Sequence, residues 1–323
     1  MRKTPFNLTE VRQKISLGRE ADVERLHQPG PARYVEMASF VLVWAAGGFL
    51  CLAAPRFLPA WMRLPVTLAG ILLSAIALNV HPLLVHEGMH SVLFRNRFLN
   101  QIVSTFYAFT FHTSFTAYQV QHLRHHRHLG TDKDPDDYRN YSNNPRVVWI
   151  LSYVRILTGA YLSIPVMPIL SFRCGSPSER RRILSECALM VAIYAVLLHF
   201  VPFHFLLFAW FLPLFLVNFM VNLRGLAQHT LADPEDVFLA SRTFQVGRVA
   251  EFCLIGENYH LIHHLFPTAP SYHLRELHHL LEDRLPRQSN WNSYLGFFWT
   301  FVKASGKGDE SRLGIRSSVK GAA

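Results

Sequence analysis

Apolar residues in this chain fall in long runs instead of alternating at a helical or strand period. Residues 37–54 are apolar apart from small polar side chains, and 64–85 form a second run after the short turn PRFLPAWMRLP. Each run is close to the roughly 20 residues a helix needs to cross a bilayer. A third block, 184–223, is about 40 residues long and broken only near HFVPFH, which predicts two spans joined by a tight uncharged turn. Residues 106–117 are too few to cross and predict an interfacial or re-entrant segment. Residues 149–172 are numerous enough, yet they include Arg155, Pro165 and Pro168 and have basic residues at both ends, ERRR at 179–182 among them. Positive charge on both flanks predicts a segment that lies on the inner face or dips in and out. The pattern predicts an all-α integral membrane protein with about four transmembrane helices in two hairpins, plus interfacial helices.

Composition agrees with a membrane location. Half of the 323 residues are hydrophobic, and mean hydropathy is +0.15. The net charge of +10 raises the question of nucleic acid, but the basic residues flank apolar runs and form no aromatic-interleaved motif, which argues against it. Seven Lys or Arg in the first 35 residues place the N-terminus on the cytoplasmic side. No apolar core of a cleavable signal precedes the first run, so that run is expected to act as its own insertion signal. Cys51, Cys174, Cys187 and Cys253 are far apart, without CxxC pairing, and read as buried thiols. The organisation expected is a cytoplasmic segment at 1–35, a membrane domain at 36–302 and a small, polar, disordered tail at 303–323.

Histidine changes the picture most. There are eighteen, and nine follow a pattern: His86 and His90 in HEGMH, His122, His125 and His126 in HLRHH, His229 in LAQH, and His260, His263 and His264 in HLIHH. Spacings of i, i+3 and i+4 put side chains on one helical face, so each group can offer a row of ligands. HEGMH alone matches the zincin pattern of a metalloprotease, with Glu87 as general base. Three protein ligands suffice for a catalytic zinc, however, and nine histidines exceed that need. They suffice for two metal ions with positions left for oxygen, and imidazole suits iron. With four crossings, all four groups fall on the cytoplasmic side as a histidine-rich di-iron cap.

Three boxes, HEGMH, HLRHH and ENYHLIHHLFPTAPSYHL, occur in that order with an apolar hairpin between the second and third. In this the chain resembles the membrane fatty acid desaturases and their relatives, the di-iron hydroxylases and carotenoid ketolases, from about residue 37 to 285. The resemblance implies that His86, His90, His122, His125, His126, His229, His260, His263 and His264 ligate two Fe ions. It implies an O2-dependent desaturase that puts a double bond into an acyl chain or related lipid. The electron donor would be an external ferredoxin or cytochrome b5 type protein, and the site a bacterial inner membrane. Ile262 and Gln228 stand where relatives often have Glu, which removes carboxylates near the ligands. The alternatives are a di-iron hydroxylase or ketolase of a lipid, carotenoid or small amphiphile, an intramembrane zinc protease built on HEGMH, and a non-catalytic metal-binding protein.

Around the ligands, Glu87 and Asn258 are expected to orient imidazoles by hydrogen bonds, as metal-bound histidines usually require. The acidic run TDKDPDD (Asp132, Asp134, Asp136, Asp137) reads either as orienting acids or as a solvated loop. His128 reads as a substitute ligand or a bystander. His81, His112, His199 and His204 read as buried or interfacial. The leucines of SYHLRELHHLLEDRL recur at helical spacing and predict an amphipathic helix packed near the catalytic face, with His273, His278 and His279 on it.

Overall fold

The computed structural model describes residues 7–233, 236–287 and 290–306. Its helices in chain order are α1 (Leu8–Ser16), α2 (Glu20–Arg25), α3 (Ala32–Phe57), α4 (Ala60–Met89), α5 (Arg97–Thr110), α6 (Phe115–His128), α7 (Pro145–Cys174), α8 (Pro177–Phe200), α9 (Phe203–Leu206), α10 (Leu212–His229), α11 (Arg248–Cys253), α12 (His260–Leu265), α13 (Ser271–Leu281) and α14 (Tyr294–Gly306). Two short strands, β1 (Thr243–Phe244) and β2 (Asn290–Trp291), pair in parallel.

Among the described residues, five helical stretches are long and apolar enough to cross a membrane: Arg33–Phe57, Ala60–Met89, Pro145–Cys174, Pro177–Phe200 and Phe203–His229. That is one more than the four expected. The addition is α7, a continuous helix despite Arg155, Pro165 and Pro168, and prolines are tolerated in apolar helices where neighbours satisfy the freed carbonyls. The break at HFVPFH falls where expected, between Phe200 and Phe203. Residues 106–117 form no single element: α5 ends at Thr110 and α6 begins at Phe115. Of the expected tail, 303–306 belong to α14, and 307–323 lie outside the described residues.

The chain divides into two compact units. The first comprises Met1–Gln28, Gln121–Gly159 and Asn222–Ala323. In it, Ile15, Val23 and Leu26 from the N-terminal segment pack with Leu261 and Leu265 of α12 and with Leu274, Leu277 and Leu281 of α13. The leucine spacing thus gave α13 correctly. Arg19 reinforces this contact by an ion pair with Asp283 at 2.6 Å, and Arg284 donates to the Ile15 and Leu17 carbonyls at 2.8 Å. A second core joins Trp149 and Ile156 of α7, Leu226 of α10, Phe244 of β1, and Phe297 and Phe301 of α14.

The second unit comprises Pro29–Val120 and Ala160–Val221. Small residues bring α3 and α4 together: a Cβ on Gly47 would lie 2.7 Å from the Gly70 carbonyl, and one on Gly70 would lie 2.7 Å from the Gly47 carbonyl. Close backbone approach of this kind is how apolar helices gain contact where lipid offers no hydrophobic drive. Helix α8 opens with a capping box, Ser176 with Glu179, and with Pro177 in its first turn. Further along α8, buried Glu186 accepts from Ser114 Oγ and Thr116 Oγ1 at 2.6 Å and from the Thr116 amide at 2.9 Å, so it holds the start of α6. The cysteines are free, and only Cys51 is buried; Cys174 is exposed, and Cys187 and Cys253 are half-buried, against the expectation of four buried thiols.

Candidate metal centre

Box 1 occupies the end of α4, in the second unit, so one continuous helix carries both an apolar span and HEGMH. The His86 and His90 rings face each other edge-on with centroids 5.3 Å apart. Between them, Glu87 is 3% exposed and accepts from Arg33 Nη2 at 2.8 Å. Arg33, itself 2% exposed, also pairs with Glu36. Gly88 lies where a Cβ would come within 1.9 Å of Ser104 Oγ on α5, and its carbonyl accepts from Asn100 Nδ2 at 2.8 Å. The glycine of HEGMH is therefore set by packing against α5.

In the first unit seven motif histidines converge. His122, His125 and His126 come from α6, His229 ends α10, and His260, His263 and His264 come from α12. One ring nitrogen from each of His125, His229 and His264 lies within 4.8 Å of the other two, and the same holds for His122, His126 and His263. The His126 and His264 rings stack at 4.3 Å between these groups. His128 belongs to neither.

Several groups fix the ring orientations. His125 Nδ1 lies 2.8 Å from Asp134 Oδ1, both buried, and 4.0 Å from Asp136 Oδ2. Burial opposes protonation of His125, but the charge and hydrogen bond of Asp134, with Asp136 adding, outweigh it and raise the imidazole above its ordinary range. His229 Nδ1 faces the Ala240 carbonyl at 3.1 Å, and His260 Nδ1 is 3.7 Å from Glu257 Oε2. The contacts of His125 and His229 occupy Nδ1 and turn Nε2 inward, the arrangement that metal-bound histidines adopt. His264 is held well below its ordinary range, first by burial and then by His126, His260, His229 and His125 around it.

The Nε2 atoms of His229, His260 and His264 form a triangle with sides of 3.0, 3.0 and 3.2 Å, and His263 Nε2 is 3.2 Å from His126 Nε2. With its Nδ1 proton on Ala240, His229 offers only a lone pair on Nε2. Two ligands at right angles on a metal about 2.1 Å away would be about 3.0 Å apart. The donor set therefore fits a cation at this point, and its neutral nitrogen ligands suit a transition metal.

The backbone around these histidines is pinned as well. Arg242, 4% exposed, donates to the Ala227 carbonyl at 2.7 Å and to that of Thr230, which ties the end of α10. Its burial lowers the guanidinium pKa to about 10. Asn258 binds the backbone of β1: its Nδ2 donates to the Phe244 carbonyl at 2.9 Å, and its main-chain carbonyl accepts the Phe244 amide at 2.8 Å. These two contacts with Phe244 fix the backbone that leads into box 3. Just before it, Gly256 has φ +83°, and a Cβ there would meet the Ser271 carbonyl at 2.3 Å.

Asp134 resolves the acidic run: it orients His125, while Asp137 caps a short turn and holds Arg139 at 2.7 Å, and Asp132 is exposed. Sequence reasoning missed Arg33, Arg242 and Glu257. Glu257 could have been found, since it sits three residues before His260; Arg33 resembles any cation at the mouth of an apolar span. His81 is buried with its Nδ1 2.6 Å from Thr110 Oγ1, and His112 stacks on Trp210, whereas His199 and His204 are exposed.

A comparison with protein families finds that the family described as fatty acid desaturase matches residues 59–295, a range that holds all nine motif histidines. No curated protein matches the chain.

Proposed function

The chain belongs to the fatty acid desaturase family, and on that premise we propose that it is an O2-dependent di-iron desaturase acting on an acyl chain or a related lipid-like substrate in the membrane. The observation that carries the reading is the convergence of imidazole Nε2 atoms from three separate helices, with Nδ1 of His125 and His229 anchored on the outside.

The ligands proposed are His122, His125, His126, His229, His260, His263 and His264, with His86 and His90 completing the set as the family motif implies. Two irons held there would supply the oxidising power to take hydrogen from an unactivated carbon. Overall, two hydrogens leave neighbouring carbons. O2 takes up four electrons, two from the substrate and two from an external donor, and four protons, two from the substrate and two from the solvent, and forms two waters. The donor is a separate ferredoxin or cytochrome b5 type protein.

The chain's own residues hold and shield the site. Asp134 and the Ala240 carbonyl keep a proton on Nδ1 of His125 and His229, so that Nε2 remains the donor atom. Burial of His260, His263 and His264, each at most 5% exposed, limits water at the reacting centre. Glu87 is engaged by Arg33, whereas a protease base must face a metal-bound water, so its contacts favour a holding role over hydrolysis. The proposed topology puts the histidine boxes and both termini on the cytoplasmic side of a bacterial inner membrane, with the N-terminal positive charge as its warrant.

The test is metal analysis of the detergent-solubilised protein, wild type and His263→Ala, followed by lipid profiling of expressing cells. About two irons per chain, largely lost in the variant, with new double bonds in the lipids, is the expected result. About one zinc, retained in His263→Ala but lost in His86→Ala, would overturn it. New hydroxyl or keto groups in place of double bonds would replace the reaction while keeping the centre.

A further inference from the structure

Helix α5 has the polarity of a water-soluble amphipathic helix turned inside out. Its buried face carries Asn100 and Ser104 along with Tyr107 and Ala108, while its exposed face carries Phe98, Leu99, Ile102 and Phe106. These four apolar side chains are 70%, 45%, 48% and 53% exposed, and 98, 102 and 106 recur at the i, i+4 spacing of one stripe. Water penalises such an arrangement, since a contiguous apolar face on a soluble surface is normally covered. Hydrocarbon rewards it. At 14 residues, α5 is too short to cross a bilayer, so its stripe fits a helix lying in the plane of the interface.

The polar ends of the same unit fit a headgroup layer. Arg95 and Arg97 flank Asn96, the residue that caps α5, and both are exposed. Arg173, Arg181 and Arg182 are exposed around the turn between α7 and α8, where Glu179 is the one acidic side chain and is spent on the capping box. Gln101 of α5 donates to Glu186 of α8 at 3.2 Å, which ties the α5 stripe to the first turns of α8, just beyond the arginines. Exposed Phe172 and Leu184 continue the apolar surface on either side of that turn.

We propose that α5 and the α7–α8 turn form one lipid-contact surface, with the Phe98, Ile102 and Phe106 stripe in the acyl boundary and the five arginines on the headgroups of anionic phospholipid. This goes beyond the proposed reaction and does not depend on it. It places a lipid-bathed helix directly against box 1, because Asn100 on its buried face holds the Gly88 carbonyl of HEGMH.

The test uses the full-length chain in vesicles of phosphatidylcholine, with or without one quarter phosphatidylglycerol. A photoreactive benzoylphenylalanine replaces Ile102, and adducts are read by mass. Expected is an increment of one phospholipid, and a preference for phosphatidylglycerol among lipids co-purifying with the chain. Arg181→Gln with Arg182→Gln should reduce that preference by roughly thirtyfold, for two charges at about 1 kcal/mol each near an anionic surface. Crosslinks from 102 to a second chain would overturn the proposal and make the stripe a self-association face. Absence of both adducts, with benzoylphenylalanine at exposed Leu189 on α8 labelling lipid as a control, would show that the stripe does not meet lipid. Equal retention of both phospholipids by wild type would remove the headgroup half.

Discussion

Arg33 Nη2 and Glu87 Oε1 meet at 2.8 Å with both side chains almost fully buried. The contact joins the first turn of α3 to the glutamate between the two box 1 histidines. Removing one member of a buried ion pair leaves an uncompensated charge, a loss of about 3–5 kcal/mol. Arg33→Met is therefore expected to lower the thermal midpoint in detergent sharply. Adding Glu87→Gln should restore part of the loss, because half-buried Glu36 can be solvated. Equal midpoints for wild type and Arg33→Met would show that the pair does not hold box 1.

Asp134 should matter to metal more than to folding. Asp134→Asn keeps the shape and the turn contacts of the side chain but removes the charge that fixes His125. Iron affinity is expected to fall by roughly 10- to 100-fold, the range usual for such outer partners, with the thermal midpoint of the iron-free chain little changed. Iron titration checks this, and unchanged affinity would assign the Asp134 contact to loop structure alone.

Packing explains why HEGMH has glycine at its centre. Gly88→Ala pushes a methyl group into Ser104, whose Oγ and Cβ would lie 1.9 and 2.7 Å away. A destabilisation of about 1–3 kcal/mol is expected from overpacking. Ser104→Gly in the same chain should relieve much of it, despite its own helix penalty. Failure of the second substitution to raise the midpoint would mean that the α4 and α5 backbones, not these two side chains, set the fit.

Acid should loosen the first unit through His278. Burial, with His279 adding, lowers its pKa to about 4. The folded pKa lies below the unfolded value near 6.5, so the unfolded chain gains a proton first as pH falls. The stability conferred by the neutral ring is full above about pH 6.5 and is lost on descent towards about 4, by an amount on the order of 3 kcal/mol. His278→Phe should flatten the thermal midpoint between those limits. Asp283, held low by its hydrogen bond to Arg19, acts in the same direction at still lower pH. A midpoint for His278→Phe that falls as steeply as that of wild type would place the acid sensitivity elsewhere.

The apolar runs made four of the five long helices legible, because length and hydropathy alone decide whether a segment can be one. Helix α7 is the fifth, long and apolar enough as its residue count suggested, while Arg155 and the flanking arginines bear on where a helix lies in a membrane, not on whether it forms. Histidine spacing picked out the rows on α6 and α12, since i, i+3 and i+4 are local facts, whereas His229 stands alone at the end of α10 and has no such spacing to mark it. The contacts that fix those histidines were less visible. Asp134 reaches His125 across nine positions and Ala240 reaches His229 across eleven, and Arg33 reaches Glu87 across 54. Asn258 bonds to the backbone of β1, a pairing that nothing in its own neighbourhood announces.

Seven of the nine motif histidines also sit at the C-terminal end of their helices. His86 and His90 close α4, His125 and His126 lie in the last turn of α6, His229 ends α10, and His263 and His264 lie in the last turn of α12. The last carbonyls of a helix carry roughly half an elementary negative charge between them. A cation held by these rings would meet the negative pole of the helix that supplies them, and at α10 it would share that pole with Arg242. Beside Asp134 and Glu257, the peptide dipoles would provide part of the compensating field.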